Sequence, residues 1–141
     1  MTILGYFLEG RTQIKIKATD FVSNDDLVNI NVGTIENDGS NYGIHSSTND
    51  DFDFYAYIDI PLGYTATKVM INTANPVEIY TLDLDDGTIG SELSNSGLTI
   101  GDNTVLDTNH VGADDKILLV KVTTTNITDI IYGGYVTIAK T

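Results

Sequence analysis

The chain has 141 residues, enough for one domain that buries roughly two thirds of its extended-chain surface on folding. Hydrophobic residues make up 41%, too many for a disordered acidic tail, and no apolar run is long enough to span a membrane as a helix. Twenty acidic residues against seven basic ones give a formal charge of -13, which argues against nucleic acid, whose binding needs a positive surface to displace counterions.

The lead "MTILGYFLEGR" (1–11) is a short apolar run with Ile3, Leu4, Tyr6, Phe7 and Leu8, and no basic segment precedes it. That is not the pattern of a secretory signal peptide; it reads as a docking segment ahead of a single domain over 12–141. Cysteine is absent, so neither a disulfide framework nor thiolate chemistry is expected.

From residue 13 onward the hydrophobic pattern has period 2 and nowhere holds a helical period. "QIKIKA" sets Ile14, Ile16 and Ala18 against Lys15 and Lys17. Around "TDFVSNDD" a short helical turn is expected, capped by Thr19 or Asp20 and plugging one end of the domain. "LVNINVGT" sets Val28, Ile30 and Val32 against Asn29 and Asn31. The longest alternation is "FDFYAYIDI": Phe52, Phe54, Ala56, Ile58 and Ile60 face one way, and Asp53, Tyr55, Tyr57 and Asp59 the other. Pro61 and Gly63 mark a turn before "TKVMINT", with Val69 and Ile71 inward. "VEIYTLDL" follows, and "DDGTIG" reverses the chain. Between 87 and 109, "GLTI" and "TVLDT" read either as short strands or as parts of one long loop. "ILLVKVTT" puts Leu118, Val120 and Val122 on one face. These eight or nine strands predict an all-β fold, an antiparallel β-sandwich of jelly-roll type.

The closing strand, "TDIIYGGYVTIAK", carries two glycines at its centre. Strict alternation places Gly134 in the core and Gly133 outside between aromatic rings, whereas a bulge shifts the phase and re-aims Tyr132 or Tyr135. In either case Gly133 and Gly134 read as architecture, letting another strand come close.

No catalytic constellation stands out. His45 and His110 are the only histidines; His45 has Ser46, Ser47 and Asp50 close in sequence but no nucleophile elbow, and His110 reads as a solvated turn residue. The pairs Asp25/Asp26, Asp50/Asp51, Asp85/Asp86 and Asp114/Asp115 lie beside turns, where aspartate bonds its own backbone. "DLDDG" (Asp83, Asp85, Asp86, Gly87) starts like a calcium-binding helix–loop–helix loop. The pattern then fails, with Gly87 at the fifth position, Thr88 at the sixth and Ser94 at the twelfth. A calcium clamp between loops would have to draw on Asp50 and Asp51 or on Asp114 and Asp115. Zinc spacing and a phosphate-binding loop are both missing, so neither metal nor cofactor is expected. Among the eight tyrosines, Tyr55 and Tyr57 share the polar face of their strand with Asp53 and Asp59. Three readings fit that pair: rings covering cross-strand neighbours, subunit contact, and stacking on sugars.

"DFYAYIDIPLGYTATKVMI", "VEIYTLD", "GDNTVLDT" and "KILLVKVTTTNITDIIYGGYVTIA" together resemble small all-β virion proteins of tailed bacteriophages, particularly those of marine and cyanobacterial hosts. The likeness runs over residues 12 to 140. Gly63, Tyr64 and Ala66 match the turn that enters a central strand, and Asp129, Ile130, Tyr132, Gly133 and Gly134 match the closing strand. The resemblance implies a structural subunit that coats or projects from a phage particle, on the capsid surface or the tail. The preferred expectation is a non-enzymatic decoration or cement subunit on the outer capsid surface, bound to the major capsid protein and trimeric on the particle. Its contact candidates are Ile3, Leu4, Tyr6, Phe7, Leu8, Tyr55 and Tyr57. The alternative is a carbohydrate-binding module of a tail fibre or surface lectin; the short lead, with no shaft or coiled coil, favours decoration.

Overall fold

The structure is a computed structural model that describes residues 12–23, 34–37, 42–46, 51–93 and 104–141. Within these residues lie ten strands: β1 (Gln13–Lys17), β2 (Val22–Ser23), β3 (Thr34–Asn37), β4 (Tyr42–His45), β5 (Phe52–Ile58), β6 (Tyr64–Thr73), β7 (Val77–Asp83), β8 (Thr104–Val111), β9 (Lys116–Thr124) and β10 (Ile131–Lys140). Three of them, β2, β3 and β4, are two to four residues long, too short to show an alternation, and are not among the strands expected. Residues 1–11, with Ile3, Leu4, Tyr6, Phe7 and Leu8, fall outside the described residues, as do Val28, Ile30, Val32 and "GLTI".

The strands form two antiparallel sheets. One runs β3-β4-β10-β6-β8, with β1 pairing β10 beside β4; the other runs β2-β5-β9-β7. Alternating inward residues of both sheets make a sandwich core. Phe52, Phe54, Ala56, Ile58 and Ile60 point into it from β5 and its end. Leu118, Val120 and Val122 join them from β9, and Val69 and Ile71 from β6. Each such aliphatic or aromatic side chain contributes about 1.5–3 kcal/mol by leaving water. The sheets are joined along one side by Leu93. Its N–H donates to the Ile79 carbonyl at the edge of β7, and its carbonyl accepts the Asp107 N–H of β8.

Several expectations are corrected. The helical turn is a single 3-10 turn at Ala18–Asp20, directly after β1, so Ala18 is not a strand residue. Asp20 closes that turn from its far end, where Oδ2 accepts the Lys17 N–H at 2.8 Å. Residues 104–111 form one strand, and His110 is buried in it at 5% exposure, not solvated in a turn. The polar run "DTNH" hid this because only Leu106 and His110 are buried between residues 105 and 111, with the exposed Thr108 and a register shift against β6 between them.

The glycine pair sits at a bulge. Ile131 lies opposite Thr73, but Gly134 lies opposite Ile71, so one extra residue of β10 is taken up between them. Gly133 takes φ +120°, a conformation in which other residues are strained. A Cβ on Gly133 would sit 2.5 Å from the Ile16 carbonyl oxygen of β1, and one on Gly134 would fall onto the Met70 carbonyl of β6. The two glycines thus let β10 press against a neighbour on each side. The phase shift leaves Ile131, Val136 and Ile138 buried and turns both Tyr132 and Tyr135 to the outside of the sheet. At the start of β6, Gly63 takes φ +87° in a turn closed by the Tyr64 N–H on the Pro61 carbonyl, with φ positive at the third residue as a type II turn requires.

Candidate functional site: the outer face of the four-stranded sheet

Strand register decides which side chains share the solvent face of the smaller sheet. Tyr55 is opposite Lys121 and Val22, Tyr57 is opposite Leu119, and Asp53 is opposite Thr123. Across the other edge of β9, Glu78 is opposite Lys121 and Tyr80 opposite Leu119. A row of Tyr57, Leu119 and Tyr80 therefore crosses the sheet beside a row of Val22, Tyr55, Lys121 and Glu78.

Leu119 is the odd member. It points away from the sandwich, yet it is only 2% exposed, while Tyr57 beside it is 50% exposed. An outward leucine in the middle of a sheet stays dry only when its flanking side chains lie down over it. Tyr55 and Tyr57 have near-parallel rings, 6.5 Å between centroids and 27° between planes.

A polar chain borders these rings. Thr123 Oγ1 donates to Asp53 Oδ1 at 2.8 Å. Lys121 Nζ lies 3.9 Å from Asp53 Oδ2 and 3.1 Å from Glu78 Oε2. The Tyr80 hydroxyl donates to Glu78 Oε1 at 2.9 Å, which restrains that ring, and Tyr80 lies opposite Leu119 in the register. Burial and the hydrogen bond to Glu78 push the Tyr80 phenol up to about 12. Burial, then the Asp53 charge, raises Tyr55. Burial pulls Lys121 down, but its hydrogen bond to Glu78 and the two carboxylates outweigh this and leave it raised. The face thus joins aromatic rings and hydroxyls to paired acidic and basic side chains, chemistry suited to stacking, apolar contact and hydrogen bonding.

Of the contact candidates, the structure brings Tyr55 and Tyr57 together and joins to them Val22, Glu78, Tyr80, Leu119 and Lys121, which sequence reading did not single out. The signal was present in "ILLVKV": if Leu118, Val120 and Val122 face in, Leu119 must face out. Gly63, Gly133 and Gly134 are not part of this face.

The remaining candidates lie elsewhere. His45 Nδ1 donates to the Ser46 carbonyl at 2.6 Å, and Ser47 and Asp50 lie outside the described residues. His110 is held below the usual imidazole range by burial and by Lys116. Asp83, Asp85 and Asp115, from two separate acidic runs, come within 4.8 Å of one another because the Leu84 N–H bonds the Asp115 carbonyl. Asp86 and Asp114 are not in that group. Lys116 Nζ sits 3.5 Å from Asp115 and 3.8 Å from Asp83, so a cation from the chain itself already offsets part of the cluster's charge. Asp83 and Asp86 also accept backbone N–H groups two residues on, as turn aspartates do.

No protein-family model matches the chain, and no curated protein matches its sequence.

Proposed function

We propose that this chain is a non-enzymatic virion structural protein, a decoration subunit that sits on the outer capsid surface and binds the major capsid protein. The observation that carries the reading is the outer face of β5, β9 and β7. A dry leucine is flanked by tyrosines, with exposed Val22 alongside and the ion-paired Lys121 in the next row between Tyr55 and Glu78. Tyrosines grouped around an apolar residue are enriched at protein interfaces. The likeness of residues 12 to 140 to phage virion proteins supplies the partner, and a jelly-roll connection of the two sheets belongs to the same reading. Attachment is by shape and apolar contact across seams between shell proteins, with trimers at local symmetry axes and the 1–11 segment docking on a neighbour.

Occupancy on purified capsids tests this. Tyr55→Ala/Tyr57→Ala is expected to fold and to lose at least tenfold in apparent affinity. That is the loss expected when about 1.4 kcal/mol or more of contact is removed. Full occupancy by the double variant would contradict the assignment of this face.

A second reading is favoured by the ring geometry alone. Two near-parallel tyrosines flanked by Asp53 and Glu78 suit stacking on successive sugars of a glycan. Binding to a neutral glycan array, lost in the same double variant, would favour this reading over capsid attachment.

A further inference from the structure

On the opposite sheet the charge balance reverses. Strands β1, β10 and β6 are adjacent, hold four of the seven basic residues (Lys15, Lys17, Lys68 and Lys140), and contain no aspartate or glutamate. In a chain with twenty acidic residues this is a strong segregation. Ionic screening at physiological salt falls off over about 8 Å, so a ligand at these strands meets their local positive field and not the net charge of the molecule.

Within this region lies a groove of about 440 Å³, lined by Lys15, Ile16, Lys17, Ala18, Thr19, Tyr132 and Gly134. The β10 bulge shapes it: the extra residue turns the Tyr132 ring outward, where it is 41% exposed, and Gly134 contributes to the lining. Among the described residues no carboxylate lies within ion-pair distance of Lys15. Lys17 is held only loosely by Asp20, at 3.9 Å with the lysine 74% exposed. A cleft lined by seven residues is far smaller than the roughly 800 Å² per side of a stable protein interface, but it suits one or two pyranose rings.

We propose that this groove binds an acidic sugar, its ring against Tyr132 and its carboxylate or sulfate between the Lys15 and Lys17 ammonium groups. The aromatic face supplies stacking, and the two lysines supply the preference for an anion. This site is separate from the Tyr55–Tyr57 face and does not depend on how that face is used.

Amide chemical-shift titration of the full chain tests the proposal with a glucuronic-acid disaccharide, the same disaccharide with its carboxyl reduced to the alcohol, and a nucleoside monophosphate. The expected result is a saturable shift at Lys17, Gly133 and Gly134, with a Kd on the order of 1 mM. The reduced disaccharide should bind at least tenfold more weakly. Lys15→Gln/Lys17→Gln should abolish the preference for the acidic form, and Tyr132→Ala should weaken the acid and its reduced form alike. Equal binding of acid and alcohol, a response mapping to Tyr55 and Tyr57, tighter binding of the nucleotide, or no saturable shift with the acidic disaccharide would each overturn it.

Discussion

Replacing Gly134 by alanine puts one methyl group where the structure has no room. The new carbon would fall on the Met70 carbonyl oxygen and lie 2.9 Å from the Ile71 Cα, both parts of the β6 backbone. Backbone inside a ladder cannot swing aside as a side-chain tip can, so β10 and β6 must separate locally. That loses two or more ladder hydrogen bonds at about 1 kcal/mol each and loosens Ile71 and Val136 behind them, roughly 3–4 kcal/mol in all. For a chain of this size the midpoint of thermal unfolding should fall by roughly 10 °C. Gly63→Ala is the control. Gly63 also needs a special backbone, at φ +87°, but a Cβ there meets nothing within 4 Å, so only the local strain of about 1–2 kcal/mol applies. Calorimetry of the two variants and the wild type gives the comparison. If Gly134→Ala loses no more stability than Gly63→Ala, the close approach of β10 to β6 is wrong.

Leu119→Ala should destabilise by about 2–4 kcal/mol in denaturant titrations although Leu119 faces away from the core, because its burial at 2% exposure matches that of a core residue. Phenolate absorption should show one tyrosine titrating at about 12, and Glu78→Gln should bring it down by removing the charge, while the amide oxygen can still accept the Tyr80 hydroxyl. His110 titrates below its ordinary 6.5 when folded, so below that pH the unfolded chain takes up a proton that the folded chain refuses. Stability should therefore be complete above about pH 6.5 and decline as the pH falls through the window beneath it, and His110→Leu should remove that part of the decline. The Lys121–Asp53 and Lys121–Glu78 pairs are partly exposed, so Lys121→Met should change stability by less than about 1 kcal/mol, with the difference shrinking at high salt.

What could be read from the sequence follows from how strictly each segment keeps its period. β5 and β9 carry apolar residues at every second position, and β6 alternates only from Val69 onward, after a phase shift beyond Ala66; Phe54, Val69 and Val120 lie where alternation puts them. Three features escaped it, each for a physical reason. Bulges break the period, so the extra residue near Gly133 turns Tyr132 outside together with Tyr135, a phase that alternation alone left open. Burial by polar neighbours leaves no apolar signature, which is why His110 in "DTNH" read as a turn. Proximity across a sheet depends on register: Asp83 and Asp115 stand 32 positions apart in the chain yet adjoin because β7 and β9 pair Asp83 with Lys116. The outer-face site was half visible, since Tyr55 and Tyr57 alternate on one strand, whereas Tyr80, Leu119 and Lys121 join them only through strand order.

The location of the chain in an intact particle tests the proposed function most directly. A cryo-electron microscopy reconstruction of the virion should show this sandwich spread over the icosahedral shell, with Tyr55, Tyr57 and Leu119 turned against the coat protein. Density confined to a tail extremity, with that face open to solvent, would contradict the capsid assignment.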